Sequence, residues 1–240
     1  MCSLEKRGNL FILTLKGYNM EHRLNPTLLN SINSALLQAK AESCPGSALV
    51  TISHGKFFSN GMDLDWVKAA GSTQGAHDRL FEALHCLKQL VITLLSLPMP
   101  TVAAVTGHAV AAGFAFVLSH DYIVMRRDKG VLYMSEMDMG LKAPEPWMAL
   151  FRAKLGSGST QRDVLLRGMK IKGDQGLKMG IVESVHEGEE EVRDAAMRLA
   201  QGLGKRKWDG KVYAETRKGL YPELCGMLGI ASEAAILPKL

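Results

Sequence analysis

The chain has 240 residues, 47% of them hydrophobic and 22% charged, enough to bury a full core in one large domain or one domain with a helical extension, which argues against a disordered chain. Its formal net charge of +5 comes from scattered Lys and Arg; only Arg126-Arg127 and Lys205-Arg206-Lys207 cluster, no nucleic-acid motif accompanies them, and no nucleic-acid partner is expected. Four cysteines, Cys2, Cys44, Cys86 and Cys225, stand far apart without CxxC or Cys/His spacing, which argues against a zinc site and a disulfide framework and suits a reducing compartment.

The start, Met1 to Arg7, leads into a short apolar run, Leu10 to Leu15, that Lys16 closes too early for a signal peptide. Asn9 to Leu15 reads as a buried strand. Asn25-Pro26 supplies an N-cap followed by proline at the first helical position, and Leu28, Leu29, Ile32, Leu36 and Ala39 keep helical spacing until Pro45-Gly46 ends the segment. Ala48 to Ser53 makes a short apolar strand, and a loop runs from Lys56 to Leu64. Leu80, Phe81, Leu84, Leu87, Val91 and Leu94 form a long helical stripe, after which Thr101 to Val105 is a strand bounded by prolines and Gly107. No Asp, Glu, Lys or Arg lies between Lys88 and Asp121, a gap longer than a bilayer span. Pro98, Pro100, Gly107, His108 and Gly113 divide it into a helix end, a buried strand and a second helix, so no membrane span is expected.

Tyr122 to Met125 and Val131 to Met134 add two strand-like runs, giving about the first 140 residues the alternation of βαβ units and an α/β fold class. After Gly140 the pattern turns helical, punctuated by Gly156, Gly168, Gly173 and Gly180, with Ile181-Val182 the only clear extended stretch and Gly202-Leu203-Gly204 separating the last two helical stretches. The expected division is a core over residues 1–190 and a C-terminal helical region over 191–240, with no linker long enough to free a second domain.

Motifs that would decide the chemistry directly are absent. No GxGxxG follows a strand, no GxxxxGK[ST] or HExxH occurs, and Gly156-Ser157-Gly158-Ser159 lacks the spacing of a nucleophile elbow. What remains are two apolar strand ends that run into turns of small residues: Phe57-Phe58-Ser59-Asn60-Gly61-Met62-Asp63, and Thr106-Gly107-His108-Ala109-Val110-Ala111-Ala112-Gly113. Small residues there let a ligand approach the backbone, and a helix starting after such a turn offers free N–H groups to an anion; tight turns also need glycine for steric reasons alone.

In this order, Phe57 to Leu64, then Pro100 to Gly107 leading to Ala111-Ala112-Gly113 and Asp121, the two stretches resemble the paired signature of the crotonase (enoyl-CoA hydratase/isomerase) superfamily. The resemblance runs from the first strand to about Val185 and implies a crotonase-like ββα spiral core. It implies that backbone N–H groups of Met62 and Ala112 form an oxyanion hole for a thioester carbonyl. Around them Ser59, Asn60, Gly61, Asp63 and Leu64 are expected to lie against the substrate. Arg23 and Lys56 are candidate contacts for coenzyme A phosphates, or solvated cations. His108 is a candidate proton carrier, or a turn histidine with a satisfied ring.

Hydratases of this family carry one catalytic glutamate where this chain has Ala115; their second falls after the next strands, where Leu132-Tyr133-Met134-Ser135-Glu136 supplies it. The following Ala143-Pro144-Glu145-Pro146-Trp147 resembles the Ala-Pro-x-Trp stretch of the 3-enoyl-CoA isomerases, the plant peroxisomal members above all. One carboxylate is chemically sufficient for a 1,3 proton shift, whereas hydration calls for a second group. The resemblance therefore implies isomerisation of a 3-enoyl-CoA, cis or trans, to the trans-2-enoyl-CoA, with Glu136 as catalytic acid and base. Asp138 and Glu145 compete with it in sequence. Another reaction of the family, such as hydration, dienoyl isomerisation or thioester hydrolysis, or a non-catalytic acyl-CoA-binding subunit, is the alternative.

No metal and no cofactor are expected, coenzyme A being part of the substrate. The last three residues, Pro238-Lys239-Leu240, depart from Ser-Lys-Leu at one position but keep the basic residue and terminal leucine of a peroxisomal signal. The expected location is the peroxisome, the expected partners an import receptor and copies of the chain in a homotrimer or hexamer.

Overall fold

The chain begins with an antiparallel hairpin of β1 (Cys2–Arg7) and β2 (Leu10–Leu15). The computed structural model describes residues 1–16 and 20–231, so the terminal tripeptide 238–240 lies outside the described residues. β1 is half-buried over Cys2, Ser3 and Leu4 and exposed at the charged Glu5, Lys6 and Arg7; its extended form comes from its ladder with β2 rather than from an apolar pattern, and sequence periodicity passes over it.

α1 (Pro26–Ala41) starts as expected, with the Asn25 side chain accepting from the Leu28 N–H at 3.0 Å and proline in the first turn. The chain then repeats one unit. β3 (Ala48–Ile52) and β4 (Phe57–Ser59) are followed by α2 (Leu64–Lys68) and α3 (Thr73–Leu95); β5 (Thr101–Val105) and β6 (His108–Val110) by α4 (Ala112–Leu118); β7 (Tyr122–Arg126) and β8 (Val131–Tyr133) by α5 (Glu145–Lys154) and α6 (Gly158–Leu165). β9 (Ile171–Lys172), α7 (Gly173–Lys178) and β10 (Ser184–His186) complete the spiral, and α8 (Glu189–Gly204), α9 (Gly210–Leu220) and α10 (Pro222–Leu228) follow. The first strand of each pair enters a six-stranded sheet, order β1-β2-β3-β5-β7-β10, parallel from β2 onward; the second enters a four-stranded sheet, order β4-β6-β8-β9. This is the ββα spiral that the resemblance implies.

Three expectations are corrected. Residues 57–59 and 108–110, read from sequence as loop and turn, are strands; three residues are too few to show a period, and pairing between β4, β6 and β8 makes them extended. Ile181-Val182 is buried but belongs to no strand, the extended stretch being Ser184–His186, three residues later. α8 continues through Gly202, so the break between helices falls after Gly204.

The central strands of the larger sheet, β2, β3, β5 and β7, are buried on both faces, which is why they read as continuous apolar runs. Leu10, Ile12, Val50, Val102, Ala104 and Val124 face α8, whose Ala195, Ala196 and Ala200 let the helix approach closely. Phe11, Leu13, Leu49, Ala103 and Val105 face the main core, with α1, α3, α4 and α5 over them. α9 is anchored by Arg217, 5% exposed, whose Nε and Nη2 each donate to the Asp121 carboxylate at 2.7 Å while Nη1 and Nη2 reach the Leu97 and Met99 carbonyls at 2.7 and 2.6 Å. Burial pushes the Asp121 carboxyl up, but the Arg217 charge and hydrogen bonds outweigh it and hold the group below the usual carboxylate range. The pair thereby pins the turn between α3 and β5 to the start of β7. No helix among the described residues is long and apolar enough to cross a membrane.

Candidate active site

The two small-residue loops meet where the smaller sheet ends. Each closest approach is occupied by a glycine: a Cβ on Gly61 would stand 2.9 Å from the Val110 carbonyl oxygen, and a Cβ on Gly113 would stand 2.5 Å from that of Ser59. Gly61 also has φ 76°, the left-handed region that a side chain disfavours. These contacts set the separation of the loops, so Met62 and Ala112 line one cavity of about 420 Å³.

The segment before α1 holds the first loop from behind. Leu24 forms a parallel bridge with Met62, its N–H donating to the Gly61 carbonyl at 2.8 Å and its carbonyl accepting from the Asp63 N–H at 3.0 Å. This pattern uses both backbone groups of Leu24 and leaves the Met62 N–H outside the bridge. The Asn60 N–H donates to the Glu21 carbonyl at 2.8 Å, and the Ser59 hydroxyl to the His22 carbonyl at 2.8 Å. His22 is fully buried at φ 49°, with Nδ1 3.0 Å from the Phe57 carbonyl. A lone histidine has no period or motif, so nothing in the sequence marks His22 as a support of this loop.

Ala112 is the first residue of α4, where backbone N–H groups precede the helical ladder, and no side chain caps it. The entry is strained: Ala111 has φ 50° and ψ −116°, and its N–H donates to the Tyr133 carbonyl at 2.9 Å. Ala111→Gly should raise unfolding stability by about 1 kcal/mol in denaturant titration without loss of turnover, because glycine adopts this φ without strain; a destabilised variant would show that the Ala111 methyl matters more than its backbone cost.

Glu136 enters the same cavity just beyond β8. It heads a tight turn in which its carbonyl accepts from the Leu141 N–H at 2.8 Å. Its Oε2 is buried with no hydrogen-bond partner among the described residues, and burial pushes the carboxyl above its ordinary value despite the lowering effect of the Glu136 and Ser135 backbone. Neither competing carboxylate shares this position: Asp138 is exposed, and Glu145 pairs with Arg152 at 2.7 Å. Ala115 lines the cavity at 2% exposure, so the wall where hydratases of the family carry a second carboxylate is apolar here. Leu80, Leu84 and Leu87 of the α3 stripe, with Trp147 and Phe151, complete that wall.

Asn60, Gly61, Leu64 and Arg23 also line this cavity. Arg23 lies at its edge with its guanidinium against two carboxylates, Glu21 at 2.5 Å and Asp65 at 3.2 Å. Ser59 and Asp63 stand behind the lining: Ser59 is fully buried against His22, and Asp63 caps α2 through the Trp66 N–H while accepting from Asn25 Nδ2 at 2.9 Å. Lys56 and His108 are brought together elsewhere, in a separate cavity of about 650 Å³ with Arg126, Lys129 and Lys172. The His108 ring lies 5.5 Å from that of Phe57, and burial followed by the charges of Lys56 and Lys170 lowers its pKa. Lys142, at the mouth beside Leu141, was missed in sequence because a single lysine in a loop carries no signal.

The family described as enoyl-CoA hydratase/isomerase matches residues 5–217. Enoyl-CoA delta isomerase 2, peroxisomal, of Arabidopsis thaliana is 52% identical over 241 residues, covering 100% of both chains, and enoyl-CoA delta isomerase 3 of the same plant is 51% identical over 233 residues, covering 97% of both. Among solved structures, an apo enoyl-CoA isomerase of Mycobacterium tuberculosis superposes with a TM-score of 0.81 at 22% identity, over 95% of this chain and 94% of that one. An enoyl-CoA hydratase of Bacillus halodurans gives 0.79 at 21%, over 95% and 90%. At such identities the two structures speak for the spiral alone; the match across residues 5–217 and the relatives at about half identity along the whole length speak for descent, and the chain belongs to the enoyl-CoA hydratase/isomerase family.

Proposed function

We propose that the protein is a Δ3-Δ2-enoyl-CoA isomerase, which moves the double bond of a 3-enoyl-CoA, cis or trans, to give the trans-2-enoyl-CoA in the β-oxidation of unsaturated fatty acids. The observation that carries this reading is that, among the described residues, Glu136 is the one carboxylate lining a cavity whose lining at Ala115 is apolar. Relatives at 52% and 51% identity bear the name enoyl-CoA delta isomerase.

In this reading the thioester oxygen sits between the Met62 and Ala112 N–H groups. Glu136 removes a proton from carbon 2, the two donors hold the negative charge of the dienolate, and the same carboxyl returns a proton at carbon 4. The shift is internal and redox-neutral, so it calls for no cofactor or metal. Asn60, Gly61 and Leu64 bound the thioester end, and Arg23 and Lys142, cations on the cavity lining, are the proposed contacts for coenzyme A phosphates. Ser59, Asp63 and His22 keep the loop in place. The peroxisome is the proposed compartment, since two relatives carry that word in their names and the last three residues resemble its address. An import receptor and a homotrimer or hexamer are the proposed partners.

The test is parallel incubation with trans-3-hexenoyl-CoA and with a 2-enoyl-CoA, following conjugation in the ultraviolet and product mass. Conjugation without mass gain is the expected result. Gain of one water would make the protein a hydratase, and binding without turnover would make it an acyl-CoA-binding subunit.

A further inference from the structure

The parallel strands β4, β6 and β8 run from one cavity to another. Met62, Ala112 and Glu136 follow their carboxyl ends, by three, two and three residues. Their amino ends, together with β9, which pairs Lys172 with Val131, frame the cavity of about 650 Å³ that holds Lys56 and His108. This rear cavity has no lining residue in common with the active-site cavity, and a three-residue strand spans about 10 Å between them. Nothing in the proton shift uses it.

Its charge is one-sided. Lys56, Arg126, Lys129 and Lys172 line it against two carboxylates, and both of those are already engaged: Asp128 accepts from Arg126 Nε at 2.7 Å, and Glu189 pairs with Arg193. Lys56 feels Glu21 at longer range, but Glu21 is held by Arg23 at 2.5 Å. Among the described residues, Lys56, Lys129 and Lys172 have no carboxylate oxygen within 4 Å. His108 registers the resulting field: after burial, the charges of Lys56 and Lys170 lower its pKa. Like charges gathered around a concave site repel one another and concentrate anions there.

Three ammonium groups without a carboxylate match several phosphate oxygens better than a single anionic group, and the cavity is of the size that small ligands fill. We propose that the cavity at the amino ends of β4, β6 and β8 binds a small oligophosphate, of the pyrophosphate or nucleoside diphosphate class, at a site separate from that of acyl-CoA. The phosphates of acyl-CoA stay with Arg23 and Lys142 on the active-site cavity. A bound oligophosphate offsets the lysine charges at His108 and so raises the pKa of its ring.

Calorimetric titration of the full chain with inorganic pyrophosphate, at fixed ionic strength, should show one site per chain. Lys129→Glu combined with Lys172→Glu should weaken binding about tenfold or more while keeping turnover of trans-3-hexenoyl-CoA within about twofold, since both lysines are exposed and neither lines the active-site cavity. Saturating coenzyme A should leave the affinity for pyrophosphate unchanged, and pyrophosphate should move the NMR titration of the His108 ring to higher pH. Absence of binding, undiminished binding by the double variant or an unmoved His108 would make Lys56, Lys129 and Lys172 solvated cations and overturn the proposal. Displacement of pyrophosphate by coenzyme A would make the cavity part of the substrate site and overturn it as well. Should the double variant fail to fold, the competition with coenzyme A and the His108 titration, both run on the parent protein, still decide.

Discussion

Glu136→Gln is expected to lower isomerisation by about a hundredfold to ten-thousandfold while the protein folds normally and still binds acyl-CoA. Glutamine preserves the shape of the side chain but cannot accept the proton from carbon 2. The parent enzyme should also show how the site is poised. Glu136 must be ionised to act as base, and burial raises its pKa, so kcat/KM should rise with pH through a value above the usual glutamate value of about 4.3. The stability consequence has the opposite sense: a group whose folded pKa is raised contributes stability below its unfolded pKa and loses it as pH rises through the folded one. At neutral pH the charged carboxylate is thus a cost, and Glu136→Gln should unfold at the same or a higher denaturant concentration than the parent. Retained turnover would reject Glu136 as the base. Asp138 and Glu145 would then be the next candidates, although one is exposed and the other is engaged by Arg152.

Replacing the amide at Ala112 with an ester by chemical ligation deletes the N–H with little change in shape, and isomerisation should fall about a hundredfold to a thousandfold, as for loss of a single oxyanion donor. Side-chain identity at the paired position should matter little, because the group at work is the backbone: Met62→Leu and Met62→Ala should keep most activity. Ala112→Pro should cost at least as much as the ester, with folding checked separately because proline also distorts the turn at Ala111. An ester variant that turns over 3-enoyl-CoA at the parent rate would show that Ala112 is no donor. Gly61 and Gly113 hold the two loops at contact distance, so the ester probes chemistry within a fixed frame.

The elements most legible in the sequence are those stabilised locally or buried along their whole length. α1 announces itself through Asn25, Pro26 and the spacing of Leu28, Leu29, Ile32 and Leu36, and β3 and β5 through continuous apolar runs that both faces of the larger sheet bury. The smaller sheet was not legible: β4 and β6 have three residues each and are extended only because β8 and each other complete their ladders. Likewise β1 is charged, and only its pairing with β2 makes it a strand.

By itself, then, the sequence determined the alternating architecture, the two small-residue loops and a short set of carboxylates after β8, Glu136, Asp138 and Glu145, because each is carried by residue types at short range. Tertiary structure decided which of these meet. It set Met62, Ala112 and Glu136 on one cavity, put Lys56 and His108 on another, turned Ser59 and Asp63 into supports and recruited His22 and Lys142, which no motif marks. The physical reason is that cavity membership depends on how closely two backbones approach across the smaller sheet, a distance set by the contacts of Gly61 with Val110 and of Gly113 with Ser59, residues separated by about fifty positions in the chain and joined only by the fold.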